Sequence, residues 1–550
     1  MSTSPRICRL KLCRPCPGNF GKTRIAAPIL IAVLAAGCGT TIQHSAPLPQ
    51  PAPSSPPPVA TQTGSVGIMP QSVALAQSQK FHFAASAPGP VNWFVNGVSG
   101  GNGSVGVIDS SGNYSAPAFV LKSENIVITA ALVSSPKQNY ATSVVSIIVP
   151  GYIACPGQID NPQVAQYIVY LPSPGKAHVE FGTSSDYGFN TWTVSAPSPN
   201  GGQIRVYVAG MLGNTLYHMR GQIVLDDGAT FTDIDRICKT GTPPLTSPVQ
   251  ISVSPGATPQ PGIELWNTVL PAADTEAFAT DLKGNVIWTY SFPHPGVDVI
   301  QGIQLLPDGD LLMPISYLSS LTLSSTSGII DEIREIDLAG KTVRDLTVDQ
   351  LNRKLAASNL RDSQGNLYHL RGFHHDVLAL PNGHWVILAD YIEKYTNLPG
   401  FAEITPVLGD AIVDVDQTLK PDWVWNAFDH LDVNRHHMNF PDWTHGNALL
   451  YSSDDHNLFF SMRHQNWIVK IEFLDGMGSG KILWRLGEGG DFKLVGGVDP
   501  TDWFYAQHGM SFFSQNTTGV FRIGLMDNGN DRIISTGQAS CKPGAASTPD

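Results

Sequence analysis

Long apolar runs are scarce in this chain. The longest candidate, IAAPILIAVLAAG at residues 25–37, is too short to be a stable membrane-spanning helix. Charge is scarce too, at 14% of residues, and it leans acidic: 33 Lys and Arg against 45 Asp and Glu give a net charge of −12 and a pI near 5.7. That balance argues against nucleic acid, whose phosphates require basic surfaces. No amphipathic helical stretch of about 10–15 residues separates the strand-like segments, which disfavours a parallel α/β fold. No glycine-rich phosphate loop opens a helix, which disfavours nucleotide-dependent chemistry. Glycine (53) and proline (42) are abundant instead, as in loop-rich β structure outside the cytoplasm. At 550 residues the chain is too long for one core, so several domains are expected.

The N-terminus reads as a targeting segment over residues 1–38. Lys22 and Arg24 precede the apolar run, which stops at Cys38. The stretch LAAGC, Leu34 to Cys38, resembles the lipobox of bacterial lipoproteins, in which the cysteine is acylated. The plainer alternative is a secretory signal with a chance cysteine. The lipobox implies a lipid anchor in the bacterial cell envelope. Gly39, not acidic, favours the outer membrane, facing the periplasm. Residues 39–62 form a Pro/Ser/Ala-rich spacer, stiff and coreless. Of the seven cysteines, Cys8, Cys13 and Cys16 precede the signal core, Cys541 has no evident partner, and Cys155 and Cys238 can pair in an oxidising compartment.

Two β-sandwiches are expected next. Residues 63–150 alternate apolar and polar positions around VNWFVNG, GVIDSSGNYSAP and IVITAALV, and resemble a bacterial immunoglobulin-like domain. Residues 151–250 carry AHVEFGTSSDYGFNTWTV and NTLYHMRGQIVLDDG, and resemble a fibronectin-III-like sandwich.

From about 260 to 550 the pattern repeats. A strand after a tight turn (DLKGNVIWTY, DLAGKTVRDL, DQTLKPDWVW, GSGKILWRLG) alternates with a hairpin (IQLLPDGDLLMPI, VLALPNGHWVILAD, ALLYSSDDHNLFFS, MSFFSQNTTGVFRIG). Such units need neighbours to bury their faces, which is the logic of a β-propeller blade. Four units are visible, so an all-β propeller that is incomplete at its C-terminus is expected. The residues that open the four hairpins are Gln301, His375, His445 and His508. In a propeller these positions converge on the mouth of one channel, so the register predicts three histidines around a funnel. The plainer reading is three separate edge-capping histidines.

Several separated motifs then point one way. D-W-T-H-G-N at 442–447, S-M-R-H-Q at 461–465, Q-H-G at 507–509 and F-H-H-D-x-x-x-L-P-N-G at 373–383 resemble those of bacterial arylsulfate sulfotransferases. The resemblance spans about 260–535. It implies a six-bladed propeller that moves a sulfuryl group from a phenolic sulfate ester to a phenol acceptor. The reaction is ping-pong, through a sulfo-histidine, without a nucleotide sulfate donor and without a cofactor. Carried over by motif, His508 is the nucleophile. His445, His375 and Arg463 join it as catalytic groups, and Asn447, His374 and Gln507 as substrate-binding groups.

The chemistry suits these residues. Sulfuryl transfer resembles loose phosphoryl transfer, governed by positioning and charge stabilisation. An arginine can hold two sulfate oxygens. A neutral imidazole can attack sulfur, and a second can carry the phenol's proton. His375 and His445 both remain open as the acid. His436, His437, His456 and His464 are read as loop, turn or exposed-strand residues. Trp443, Phe440, Trp503, Phe504 and Tyr505 are read as packing, with one or two free to stack on an aromatic substrate. Two other classes stay open. One is a metal-dependent hydrolase or lyase built on the histidines, which the register leaves without acidic ligands and which Arg463 opposes. The other is a lipid-anchored, non-catalytic binding or adhesion propeller. A homodimer is an open assembly.

Overall fold

The structure, a computed structural model, describes residues 65–245, 249–267, 277–291, 298–317, 330–435, 440–514, 522–530 and 532, with residues 6–8 as backbone alone. Cys38, the Pro-rich spacer, His436, His437 and Cys541 lie outside the described residues. Among the described residues no helix is long and apolar enough to cross a membrane.

Residues 65–147 fold as antiparallel β structure around one core. A five-stranded sheet runs Ser72–Leu75, Tyr140–Ile147, Glu124–Leu132, Val91–Val95, Val98–Ser99, its first pair parallel. A four-stranded sheet holds Lys80–His82, Asn113–Ser115, Gly106–Ile108 and Gly101–Asn102. The period-two pattern decides what is inside: in VNWFV, Trp93 and Val95 are buried while Asn92, just before them, is exposed. Trp93, Phe83 and Tyr114 share the core.

The second β unit is built on Ala165–Leu171, Gly175–Gly182, Gly202–Val208 and Leu216–Leu225. The last of these buries every second residue. Cys155 and Cys238 are disulfide-bonded across 83 residues, with Cα atoms 5.4 Å apart. Side chains of this unit reach the C-terminal sheets: Asn161 Nδ2 donates to Thr289 O (2.7 Å) and Gln163 Nε2 to Val286 O (2.9 Å). Tyr207 donates its hydroxyl proton to Asp337 Oδ2 (2.6 Å).

The sheets from Glu264 on are antiparallel meanders, apart from Phe492–Leu494, which pairs in parallel with Arg6–Cys8. A three-stranded sheet, Glu264–Asn267, Ala277–Thr280 and Val286–Tyr290, comes first. The next holds Asp298–Ile300 and Gln304–Leu305 against Leu311–Tyr317, then Glu332–Ile336 and Thr342–Thr347. Two four-stranded sheets come after it: Gly372–Ala379, Trp385–Thr396, Ile404–Val415, Pro421–Asn426, then Gly446–Ser452, Asn457–Met462, Trp467–Ile471, Ile482–Gly487. His508–Ser514 and Arg522–Met526 pair last. The strand after each tight turn therefore closes a sheet, and each hairpin opens the next. Among the described residues the sheets do not close into a ring.

Two devices recur between neighbouring sheets. On closing strands, indoles reach into the next sheet: Trp288 Nε1 to Leu338 O (2.8 Å), Trp423 Nε1 to Gly478 O and Trp425 Nε1 to Gly480 O (both 2.9 Å). On opening strands, a side chain bonds the next strand's main chain. Gln304 Oε1 accepts from Ala379 N (3.2 Å), Asp376 Oδ2 accepts from Leu449 N (2.8 Å), and Asn447 Nδ2 donates to Gln507 O (2.8 Å).

One expectation fails. An amphipathic helix, Val348–Ala357, does lie between two sheets. Its signal is present in the sequence: Thr347 and Gln350 form a reciprocal capping box, and Leu351 and Leu355 bury one face.

The 83-residue separation of the bonded cysteines makes the disulfide a strong constraint on the unfolded chain. Replacing Cys155 and Cys238 together by alanine is expected to destabilise the second β unit by about 2–4 kcal/mol in denaturant unfolding. An unchanged midpoint would contradict this.

Candidate active site

Local backbone departures aim the site residues. Each opening strand breaks its ladder where a histidine stands. Phe373 opposes Ala389 while Val377 opposes Ile387, so His374, His375 and Asp376 bow out of register. Gly446 opposes Met462 while Ala448 opposes Ser461, leaving Asn447 extra. His508 opposes Met526 while Met510 opposes Leu525, leaving Gly509 extra. Bulges of this kind re-aim side chains. His375 (φ 52°) and His445 (φ 46°) also adopt the left-handed conformation, uncommon for a residue with a Cβ. Gly446 has a steric reason to be glycine: an added Cβ would meet the Phe460 ring at 2.3 Å and Asp410 Oδ2 at 2.9 Å.

The three histidines of the repeat come together. His375 packs against His445 (ring centroids 5.3 Å apart) and His508 (5.4 Å). His445 Nδ1 lies 2.7 Å from Asp442 Oδ2 and donates to it, and the His445 ring lies 4.4 Å from that of His464. Arg463 Nη1 donates to His464 Nε2 (2.6 Å), and His464 Nδ1 donates to Asp442 O (2.7 Å). His464 thus holds the guanidinium in place. The expectation of an exposed turn or strand residue fails here: His464 is 1% exposed, because both its nitrogens have partners inside. His456, by contrast, is half-exposed in its turn.

Two of the expected substrate-binding residues have side chains buried among protein partners. His374 is 2% exposed and lies behind His375, its Nδ1 3.0 Å from His375 Nδ1. Gln507 is sealed as well. Its side-chain amide nitrogen donates to Ser461 Oγ, Met462 O and Trp467 O, and its main-chain carbonyl accepts from Asn447. It anchors the strand that carries His508. Trp443, Trp503 and Phe504 are core residues, while Tyr505 and Phe440 are partly buried.

The charges are arranged to keep most of the imidazoles neutral. Burial, then the charges of Arg463 and His445, lowers His508 to about 4. Burial, then His445, lowers His464 to about 4. Burial, then repulsion from His374, His445, His508 and Arg463, pushes His375 well below the usual imidazole range. His374 goes the other way: burial opposes its charge, but Asp390 and Asp410 outweigh it and raise it to about 9. Among the described residues neither ring nitrogen of His508 has a hydrogen-bond partner, so its lone pair is uncommitted.

Carboxylates that the repeat register does not reveal stand beside the histidines. Asp442, His445 and His464 offer ligand atoms within 4.8 Å of one another, as do His374, Asp390 and Asp410. Acidic groups therefore do accompany the histidines, against the expectation. In the first group both His464 nitrogens are already engaged and Arg463 adjoins, which disfavours a cation. Asp442 has a sequence signal, standing three residues before His445 in its motif. Asp390 and Asp410 carry the weaker signal of a carboxylate inside an apolar strand.

All-β repeats that bring imidazoles, a guanidinium and carboxylates to one place define a site suited to anion binding and group transfer. Residues 257–547, just over half of the chain, match the family described as arylsulfotransferase (ASST), and the chain belongs to that family. No curated protein matches. Three solved structures show distant likeness. The Parabacteroides merdae β-glucuronidase is 15% identical over 33% of this chain and 24% of its own, with a TM-score of 0.12. Yellow lupin purple acid phosphatase PPD1 is 11% identical over 37% and 43%, TM-score 0.16. The FN1–FN3 domains of chicken CNTN1 are 8% identical over 52% and 96%, TM-score 0.16. At such scores these likenesses carry no argument.

The lowered histidines make a stability prediction. His508 and His464 stay neutral in the folded chain down to about 4, while unfolded imidazoles protonate near 6.5. The unfolded state then binds more protons, so their contribution is full above 6.5 and lost as pH falls towards 4. His374, raised to about 9, contributes fully below 6.5 and loses its part as pH rises to 9. Calorimetric unfolding across this range is expected to show decline on both sides. The acid limb should shrink by roughly 1–3 kcal/mol in His508→Asn. An acid limb identical in wild type and variant would contradict the assignment.

Proposed function

We propose that this chain is a propeller-type aryl sulfotransferase that moves a sulfuryl group from a phenolic sulfate to a phenol by two displacements through His508. The observation that carries this is an uncommitted, neutral His508 ring packed with His375, beside Arg463 and a carboxylate-held His445. In the first step a His508 nitrogen lone pair attacks sulfur, the sulfur–oxygen bond to the aryl group breaks, and the leaving phenoxide takes a proton. In the second, a phenol oxygen attacks sulfur, the nitrogen–sulfur bond breaks, and the acceptor's proton returns to the same base. His445 fits the proton carrier, because Asp442 at 2.7 Å stabilises its imidazolium. His375 does not, because its surroundings disfavour charge. Arg463 binds the sulfate oxygens and stabilises their charge. Asn447, its Nδ2 bonded to Gln507 O, stands at the join of the two strands that carry His445 and His508.

In this reading the sheets of the C-terminal half are propeller blades, their opening strands lining the funnel. The lipobox at Cys38 supports a tether to the outer membrane, with the catalytic part in the periplasm.

The direct test is release of a fluorescent phenol from its aryl sulfate by the purified protein, with and without a phenol acceptor. Turnover is expected to need acceptor and to fall by about 10³-fold or more in His508→Ala. Turnover unchanged in His508→Ala would end this reading. Absence of turnover in folded wild type would favour a binding propeller.

A second expectation concerns leaving groups. Asp442→Asn should slow transfer from unsubstituted phenyl sulfate roughly 10²-fold, since its phenoxide needs a proton. It should hardly affect the donor kcat/KM of a nitrophenyl sulfate, which reports the first displacement alone and whose phenoxide leaves unaided. Equal losses for both donors would show that Asp442 acts structurally.

A further inference from the structure

We infer that His374 is a positioning residue: held as an imidazolium between Asp390 and Asp410, it donates from Nδ1 to His375 Nδ1 and so fixes His375 as a neutral ring with its proton on Nε2, a hydrogen-bond donor for the transferring sulfuryl group. This rests on the sulfotransferase reading above, which does not itself assign His374 or the two carboxylates.

Asp390 and Asp410 make a pair that could not stand alone. They are directly opposite on neighbouring strands, 2% and 1% exposed. Like charges so placed are destabilising, and buried ones severely so, unless a cation lies between them. His374 Nε2 lies there, 3.0 Å from Asp410 Oδ1 and 3.5 Å from Asp390 Oδ1. It lies within ion-pair distance of both, nearer to Asp410, so its charge is set against the two carboxylates together. Arg371 Nη1 approaches Asp390 Oδ2 from the rim at 3.8 Å. Asp410 Oδ2 accepts from Gly446 N at 2.7 Å, which ties the group to the strand beside His445.

The two Nδ1 atoms of His374 and His375, 3.0 Å apart, can hold one proton between them. If His374 carries protons on both nitrogens, it must be the donor. His375, hemmed in by His374, His445, His508 and Arg463, is neutral, so its proton sits on Nε2. Were the bond reversed, His375 would turn a lone pair to the site and compete with His508 as base or nucleophile. The buried carboxylates decide between the two arrangements.

The test has a part that does not depend on activity. In histidine-15N-labelled full-length protein at neutral pH, His374 should show two protonated nitrogens and His375 a proton on Nε2 only. The signals are assigned by their loss in His374→Asn and His375→Gln. A proton on His375 Nδ1 would overturn the inference even if sulfuryl transfer is confirmed. Conversely, the expected tautomers with no turnover would leave this arrangement standing and sink the enzymatic reading alone. For activity, His374→Asn and His374→Leu are each made together with Asp390→Asn, so that no unbalanced pair of buried carboxylates remains. In that background His374→Asn keeps a donor near the position of Nδ1 and should stay within a few-fold of the Asp390→Asn protein in kcat/KM. His374→Leu should lose roughly 10–100-fold. Equal activity of Asn and Leu variants would contradict the role. Should the Leu variant fail to fold, the Asn variant and the tautomers decide.

Discussion

Positive groups crowded into one half-buried place can coexist only if most of them are not positive. His375, His445, His464, His508 and Arg463 lie within contact or short electrostatic reach of one another. The guanidinium cannot give up its charge, so the imidazoles around it do. Burial and mutual repulsion make His508 a free base, and a free base is what attack on sulfur requires. Two positions have carboxylate beside them: His445 with Asp442, and His374 with Asp390 and Asp410. The division of labour among chemically identical side chains thus depends on where the acids stand.

The fold supports this division through the opening strands of successive sheets. A regular ladder would point neighbouring residues to opposite faces. The bulges at 373–377, 446–448 and 508–510 let consecutive residues do different work. His375 faces its fellow histidines while Asp376, next in sequence, bonds the adjacent strand at Leu449. His445 faces the site while Asn447 grips Gln507. The same irregular stretches therefore build the site and join one sheet to the next.

Much of this site is legible in the amino-acid sequence. The repeat register marks His375, His445 and His508 as equivalent, because a propeller-like repeat brings equal strand positions to one place. Arg463 is readable from its motif. The carboxylates behind the histidines are not, except for Asp442 close by in the chain. Asp390 and Asp410 interrupt apolar stretches, VILADYI and VLGDAIV, where a carboxylate reads equally well as a residue turned to solvent. Only the pairing of those strands, and the bow in the chain at His374, shows them buried and facing one imidazole. His464 misleads for a similar reason: its short turn folds inward onto Asp442 O, a contact 22 residues away. The helix at 348–357 escapes a reading by strand repeats although its capping box is written out in the sequence, because the repeats on either side dominate the pattern.

The proposed mechanism turns on sulfur being bonded to His508 partway through the reaction. The protein would be mixed with an aryl sulfate in the absence of any acceptor, quenched in alkali and digested, and the peptide spanning Gln507–Gly509 weighed. A sulfuryl increment on His508, discharged when a phenol is added before the quench, is the predicted result. Phenol release with that peptide unmodified at every time point would contradict the account.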